Sequence, residues 1–249
     1  MKVLISIRSF EELVPAIEGG ADIIDLKNPY EGSLGAPFPW LIKKIRAHGN
    51  NFPLSVAIGD MPNLPGTAAL ASTGATICGV DIIKVGLYGP RTFNEGVKLL
   101  KSVVKATKDI NQDVLVVGAG YADFKSFNGI DSIDIPTICN LAGADIAMLD
   151  TYSKNGQKLF NFIDSEKLSK FINKTHENDL LAALAGSLEL QDIKKINELG
   201  TDIIGFRGAA CSGSDRKNGI VEINRVKKIV EFSQNLTKNA RILRSTSII

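Results

Sequence analysis

The chain has 249 residues, 44% of them hydrophobic and 22% charged, and its 29 lysines and arginines nearly balance 27 aspartates and glutamates. A formal net charge of +2 supplies no electrostatic footprint for nucleic acid or an anionic membrane, and no run of about 18 apolar residues offers a membrane span. Three cysteines without CxxC spacing and only two histidines, His48 and His176, argue against a disulfide framework, a metal site and a serine–histidine–aspartate triad.

Met1 runs straight into Lys2-Val3-Leu4-Ile5 without the parts of a secretion signal, so a cytoplasmic protein is expected. Short Val/Ile/Leu-rich runs then alternate with amphipathic stretches. Lys2–Ile7 reads as a first strand, followed by a helical pattern over Phe10–Glu18. Asp22–Lys27 reads as a second strand, followed by a long loop, Asn28–Ala36, which is a candidate lid or simply a long connection. Leu54–Asp60 and Asp81–Leu87 are the third and fourth strands, and Phe93–Lys108 is the next clear helix. Asp113–Gly118 and Asp145–Asp150 follow, then a helix over Ser165–Glu177. Leu181–Gly186, a helix over Gln191–Leu199, Asp202–Arg207 and a helix over Ile223–Leu236 complete the series. Ser9, Thr92 and Asp164 stand where helix caps belong. The residues from about Lys238 to Ile249 are expected to form a loosely held tail, leaving one domain over residues 1–236.

An internal repeat organises these elements. Gly20-Ala21-Asp22-Ile23-Ile24, Gly79-Val80-Asp81-Ile82-Ile83, Gly143-Ala144-Asp145-Ile146-Ala147 and Gly200-Thr201-Asp202-Ile203-Ile204 recur about every 60 residues. In each, the glycine would end a helix and the aspartate would open a strand. Eight evenly spaced strands favour a closed (β/α)8 barrel, a TIM barrel, in the α/β class. A doubly wound sheet would need a G-x-G-x-x-G turn after the first strand, where Ser6-Ile7-Arg8-Ser9-Phe10 stands.

Strand side chains alternate with a period of two, so the repeats also align the inward positions. Ile23, Ile82, Ile146 and Ile203 make one layer; Asp25, Lys84, Met148 and Gly205 the next; Lys27, Gly86, Asp150 and Arg207 the mouth. The pattern passes from apolar to charged toward the carboxyl ends of the strands, the face where barrel enzymes carry their chemistry. Charges buried singly would cost several kcal/mol each, roughly, so Lys27 and Lys84 are expected to approach Asp25 and Asp150, with Lys154 reaching inward from the sixth loop. The same residues could be rim charges or a structural ion-pair network, and Lys154 could be a surface turn residue.

Gly186 and Ser187 follow the seventh strand, and Arg207, Gly208 and Ala209 end the eighth and begin its loop. Barrels commonly bind phosphate there, and small residues let backbone N–H groups approach an oxyanion; glycines that merely turn the chain are the alternative. A lysine amine is then the most available nucleophile, acting on a carbonyl through a Schiff base. At a normal pKa of about 10.4 it would be almost wholly protonated at neutral pH. Lys84 would lower the value at Lys27 and the two carboxylates would raise it, so the sign of the net shift stays open. Such a set fits a class I aldolase-like reaction on small phosphorylated aldehydes or ketones. An aldolase or transaldolase, or a silent phosphometabolite-binding barrel, would share much of it.

The stretches Gly19–Pro29, Glu31–Ala36, Ile83–Gly89, Ala147–Thr151, Ala183–Leu188 and Arg207–Cys211 closely resemble the (5-formylfuran-3-yl)methyl phosphate synthase family, also called 4-(hydroxymethyl)-2-furancarboxaldehyde-phosphate synthases. The resemblance runs to about Phe232. It implies a barrel lyase that condenses two molecules of glyceraldehyde 3-phosphate into the furan phosphate, losing phosphate and water, in the biosynthesis of methanofuran-type carriers. It further implies that Lys27 carries the Schiff base, assisted by Lys84, Asp25, Asp150 and Lys154, with no metal or organic cofactor. The expected partner is a small phosphorylated aldehyde, with neither nucleic acid nor membrane; a homo-oligomer is left open.

Overall fold

The repeated aspartates set the architecture. Asp22, Asp81, Asp145 and Asp202 each accept the backbone N–H near the start of the preceding strand, at Val3, Leu54, Val116 and Ala182, over 2.7 to 2.8 Å. Each aspartate amide in turn donates to the carbonyl of that same residue. The repeat therefore fastens strands in pairs at the amino-terminal end of the sheet. Gly20, Gly79, Gly143 and Gly200, just before them, all have positive φ of +76° to +88°, a backbone region that glycine enters without steric penalty.

A computed structural model describes residues 1–49 and 51–246. It contains strands β1 Lys2–Ile7, β2 Ile23–Leu26, β3 Leu54–Asp60, β4 Ile82–Gly86, β5 Leu115–Tyr121, β6 Ile146–Asp150, β7 Leu181–Leu184 and β8 Ile203–Phe206. All are parallel and close into one barrel in chain order, β8 pairing back to β1. The coat consists of α1 Leu13–Glu18, α2 Pro39–Ala47, α3 Pro65–Ile77, α4 Phe93–Lys108, α5 Ile135–Ala142, α6 Leu159–Phe162, α7 Ser165–Glu177, α8 Asp192–Glu198 and α9 Ile223–Thr246. No helix is long and apolar enough to cross a membrane among the described residues.

Thr92 and Glu95 form a reciprocal capping box on α4, and Asp164 caps α7. Ser9 makes no such bond; the Arg8 amide donates instead to the Glu12 carboxylate at 2.7 Å. The helix expected to stop at Leu236 runs on as α9 to Thr246, so most of the expected tail is helical; residues 247–249 lie outside the described residues. All three cysteines are buried and unbridged.

The barrel interior is apolar at its base, where Leu4, Ile23, Ile82, Val117, Ile146 and Ile203 pack together. A larger cluster lies between sheet and helices. β5 extends three residues beyond the expected Gly118, pairing Ala119 with Met148 and Tyr121 with Asp150. Gly118 and Gly120 are not turn glycines. They face the helical coat, where a Cβ on Gly118 would lie 2.6 Å from the Cys139 Sγ and 2.8 Å from the Leu100 Cδ2. Gly118→Ala is expected to destabilise the fold by about 1–3 kcal/mol through overpacking, read as a lower midpoint in urea; an unchanged midpoint would mean the α4–α5 packing yields freely.

Candidate active site

Above the isoleucine layer, the inward positions become charged. Asp25 of β2 is wholly buried and accepts hydrogen bonds from Ser6 of β1 (2.7 Å), Ser55 of β3 (2.9 Å) and Lys84 of β4 (2.8 Å). Its neighbours in register supply both hydroxyls: Ser6 is level with Asp25 on one side and Ser55 on the other. Lys84 crosses from two strands away, as its stem length allows. A buried carboxylate so held is compensated rather than reactive.

Asp150, at the end of β6, accepts from the Lys154 amine and from the Thr151 amide, both at 2.7 Å. Burial by itself would raise its pKa, but Lys154 and Lys27, with those hydrogen bonds, hold the carboxyl well below the usual range. Lys154 thus reaches inward and is not a surface turn residue; its side chain also touches the Thr151 hydroxyl at 2.9 Å.

Lys27 stands between these two pairs and belongs to neither. It is 6% exposed, and among the described residues its amine makes no hydrogen bond or ion pair, while Lys84 and Lys154 each hold a carboxylate. Desolvation is the main force on it, pulling its pKa from 10.5 to about 7; Asp150 opposes, Lys84 adds to the fall, Asp25 opposes and Lys154 adds. Burial, more than any neighbouring charge, therefore decides the sign.

A cavity of about 520 Å³ opens over this cluster at the carboxyl ends of the strands, on the β6, β7, β8 and β1 side. Lys27, Lys84, Asp150 and Lys154 line its floor, and Gly186, Ser187, Gly208 and Ala209 line its wall. Gly186 and Ser187 both have positive φ, +112° and +53°. The amides of Ser187, Gly208 and Ala209 take no acceptor among the loop hydrogen bonds of the described residues, so they remain available to an oxyanion.

Arg207 departs from expectation. Its guanidinium is buried and spends all five donors inside the protein: Nη1 on the Glu12 Oε2 (2.6 Å) and the Ser6 carbonyl, Nη2 on the Glu12 Oε1 (3.0 Å) and the Gly219 carbonyl, Nε on the Arg216 carbonyl. Nothing is left for a ligand. The cause is Glu12, an ordinary-looking acid in the first helical pattern, which is 1% exposed at the foot of the eighth loop. Its carboxylate also takes the amides of Arg8 and Val221.

Other residues were not anticipated. Asp60, at the end of β3, accepts from the Tyr121 hydroxyl and from the amides of Ser33 (2.7 Å) and Leu34 (3.2 Å), pinning the 28–36 loop over the mouth. Ser33 in turn donates to the Thr151 carbonyl at 2.9 Å. Burial raises the Asp60 pKa despite the Tyr121 hydroxyl and the two amides; burial and then Asp60 raise Tyr121 well above a normal phenol. Gly86 leaves the room these two side chains need, since a Cβ there would strike both. Tyr152 stacks on Tyr88 at 4.3 Å with Phe127 beside them. One sequence signal could have found Tyr88 and Tyr152: the inward alternation, carried two residues beyond Gly86 and Asp150, lands on them.

A closed parallel barrel whose interior turns from isoleucine to paired lysines and carboxylates beneath a cavity at the strand carboxyl ends defines a (β/α)8-barrel enzyme. The family model for 4-HFC-P synthase matches residues 3–230, and the chain belongs to that family. The (5-formylfuran-3-yl)methyl phosphate synthase of Methanococcus maripaludis (strain C5) is 49% identical over 232 residues, covering 93% of this chain and 98% of its own. The protein of the same name from Methanocaldococcus jannaschii is 48% identical over 233 residues, covering 93% and 99%. Among solved structures, 3-hexulose-6-phosphate synthase aligns with a TM-score of 0.63 at 17% identity over 92% of this chain and 99% of that one. KGPDC from Streptococcus mutans aligns with 0.62 at 12% over 94% and 98%. These two likenesses establish the fold alone.

Proposed function

We propose that this barrel condenses two molecules of glyceraldehyde 3-phosphate into (5-formylfuran-3-yl)methyl phosphate, releasing one phosphate and two waters, for the furan of methanofuran-type carriers. The observation that carries the chemistry is the unpaired, desolvated Lys27 amine, with a pKa of about 7 between two neutralised ion pairs. About half the molecules then carry a free amine at neutral pH, against fewer than about one in a thousand for a lysine in water. The names of the relatives support the choice of product.

Lys27 adds to the aldehyde of one triose phosphate and expels water to give an imine. The cationic imine acidifies the adjacent carbon; Asp150 receives that proton, and the enamine so formed expels phosphate from the third carbon, while Lys84 stays an ammonium on Asp25. The third carbon, now the methylene end of an enol, attacks the ketone carbon of the second triose in its keto form, which builds the branched skeleton of the furan. The hydroxymethyl oxygen of the second triose closes on the carbonyl carbon next to the imine. Two dehydrations give the aromatic furan, which draws the sequence forward, and water releases the formyl group and returns the amine to Lys27. Asp25, fully occupied, keeps Lys84 in place. The amides of Gly186, Ser187, Gly208 and Ala209 hold phosphate, and the enzyme is a carbon–oxygen lyase of phosphates.

Incubation with glyceraldehyde 3-phosphate alone should yield free phosphate and an ultraviolet-absorbing furan of the expected mass. Retro-aldol products without phosphate release would make it an aldolase instead. Borohydride in the presence of the triose should fix the substrate to Lys27, at a rate that rises with pH through about 7. Asp150 raises the Lys27 pKa, and its loss also frees Lys154, which lowers it; Asp150→Asn is therefore expected to move the trapping midpoint to lower pH. A wild-type midpoint near 10 would remove the desolvated amine from the mechanism.

A further inference from the structure

The cations around the cavity divide into two groups. Lys84, Lys154, Lys158, Arg207 and Arg225 are bound to Asp25, Asp150, Glu189, Glu12 and Glu222 at 2.6 to 2.8 Å. Lys27 and Arg216 line the same cavity and hold no carboxylate among the described residues. Lys27 has its task above. Arg216 has none, although a half-buried guanidinium is costly to keep without an anion.

Its placement is over-determined. Arg207 draws in the Arg216 carbonyl at 3.1 Å and the Gly219 carbonyl at 3.3 Å from below. Asp215 accepts the amides of Lys217 (2.8 Å) and Asn218 (3.0 Å), closing a tight turn around Arg216. From the other side, Tyr30 donates to the Lys217 carbonyl at 3.2 Å. The side chain is directed over the mouth, where one Nη2 donor reaches the Gly32 carbonyl at 3.4 Å. Its remaining donors meet no acceptor among the described residues. The nearby cradle of Gly186, Ser187, Gly208 and Ala209 offers backbone dipoles but no charge of its own.

We infer that Arg216 is the side chain that binds the phosphate of a phosphate monoester substrate in this cavity, while Arg207 serves as the buried positioning residue that sets it there. A planar fork of donors matches phosphate oxygens pairwise. Its bond to Gly32 joins the anion to the 28–36 loop, so an occupied phosphate site and a seated loop reinforce each other. This rests on the proposed function for the identity of the ester, but the anion chemistry stands apart from it.

Glycerol 3-phosphate, which has no carbonyl, is the probe, titrated calorimetrically into the full-length protein, Arg216→Met and Arg216→Lys. Arg216→Met should weaken binding by roughly 10- to 100-fold, and Arg216→Lys less, because an ammonium keeps the charge but not the fork. Borohydride fixation of unphosphorylated glyceraldehyde on Lys27 should change at least about tenfold less than that, which separates lost phosphate binding from a damaged fold. Unchanged affinity in Arg216→Met, or equal losses on both probes, overturns the assignment. Should the wild-type protein bind glycerol 3-phosphate in an Arg216-dependent way yet form no furan, the proposed reaction fails and the anion site stands.

Discussion

Lys27→Met is expected to abolish furan formation, lowering turnover by at least roughly 10³-fold, while making the folded protein more stable at neutral pH. The second half follows from linkage. Unfolded, Lys27 binds its proton up to pH 10.5; folded, it releases it above about 7. Between those limits the unfolded chain holds the extra proton, so stability increases with pH across that window and the penalty is fully present below about 7. At about 1.4 kcal/mol per tenfold, the cost at pH 7 is on the order of 4 kcal/mol. Methionine keeps the stem and removes the ammonium, although Asp150 loses one of its cations; a net gain of roughly 1–3 kcal/mol is expected. Chemical denaturation at pH 7 and pH 9.5 checks it, since the gap between variant and wild type should shrink as the pH rises. A variant less stable than wild type at pH 7 would sink the idea that the amine is strained by burial, and an active variant would sink its covalent role.

The second large effect concerns Arg207. Arg207→Met leaves the buried Glu12 carboxylate with only the more distant Arg8 guanidinium, at 3.7 Å, and frees the carbonyls of Ser6, Arg216 and Gly219 together. Breaking such a pair from one side costs about 3–5 kcal/mol, and the eighth loop should loosen with it, raising the KM for the triose phosphate. Pairing it with Glu12→Gln should recover part of the stability, because no bare charge then remains. If the single replacement lost less than about 1 kcal/mol in urea, the Glu12–Arg207 hub would not be what fastens the eighth loop.

Two errors of the sequence reading share one cause. Arg207 at a barrel mouth suits phosphate by residue type, and only the distant Glu12, 195 positions away, withdraws it. Gly118-Ala119-Gly120 looks like a strand end, yet both glycines answer to the close approach of α4 and α5. In both cases the deciding partner lies on another element, beyond the reach of local spacing.

Local pattern alone determined the eight strands, their order and the inward set Asp25, Lys27, Lys84 and Asp150, because strand alternation and a four-times repeated turn translate directly into position and face. Tertiary structure decided which charges pair, which amine is left bare, and which arginine faces the cavity. Those outcomes depend on desolvation and on distances between side chains from separate strands, quantities that exist only once the barrel has closed.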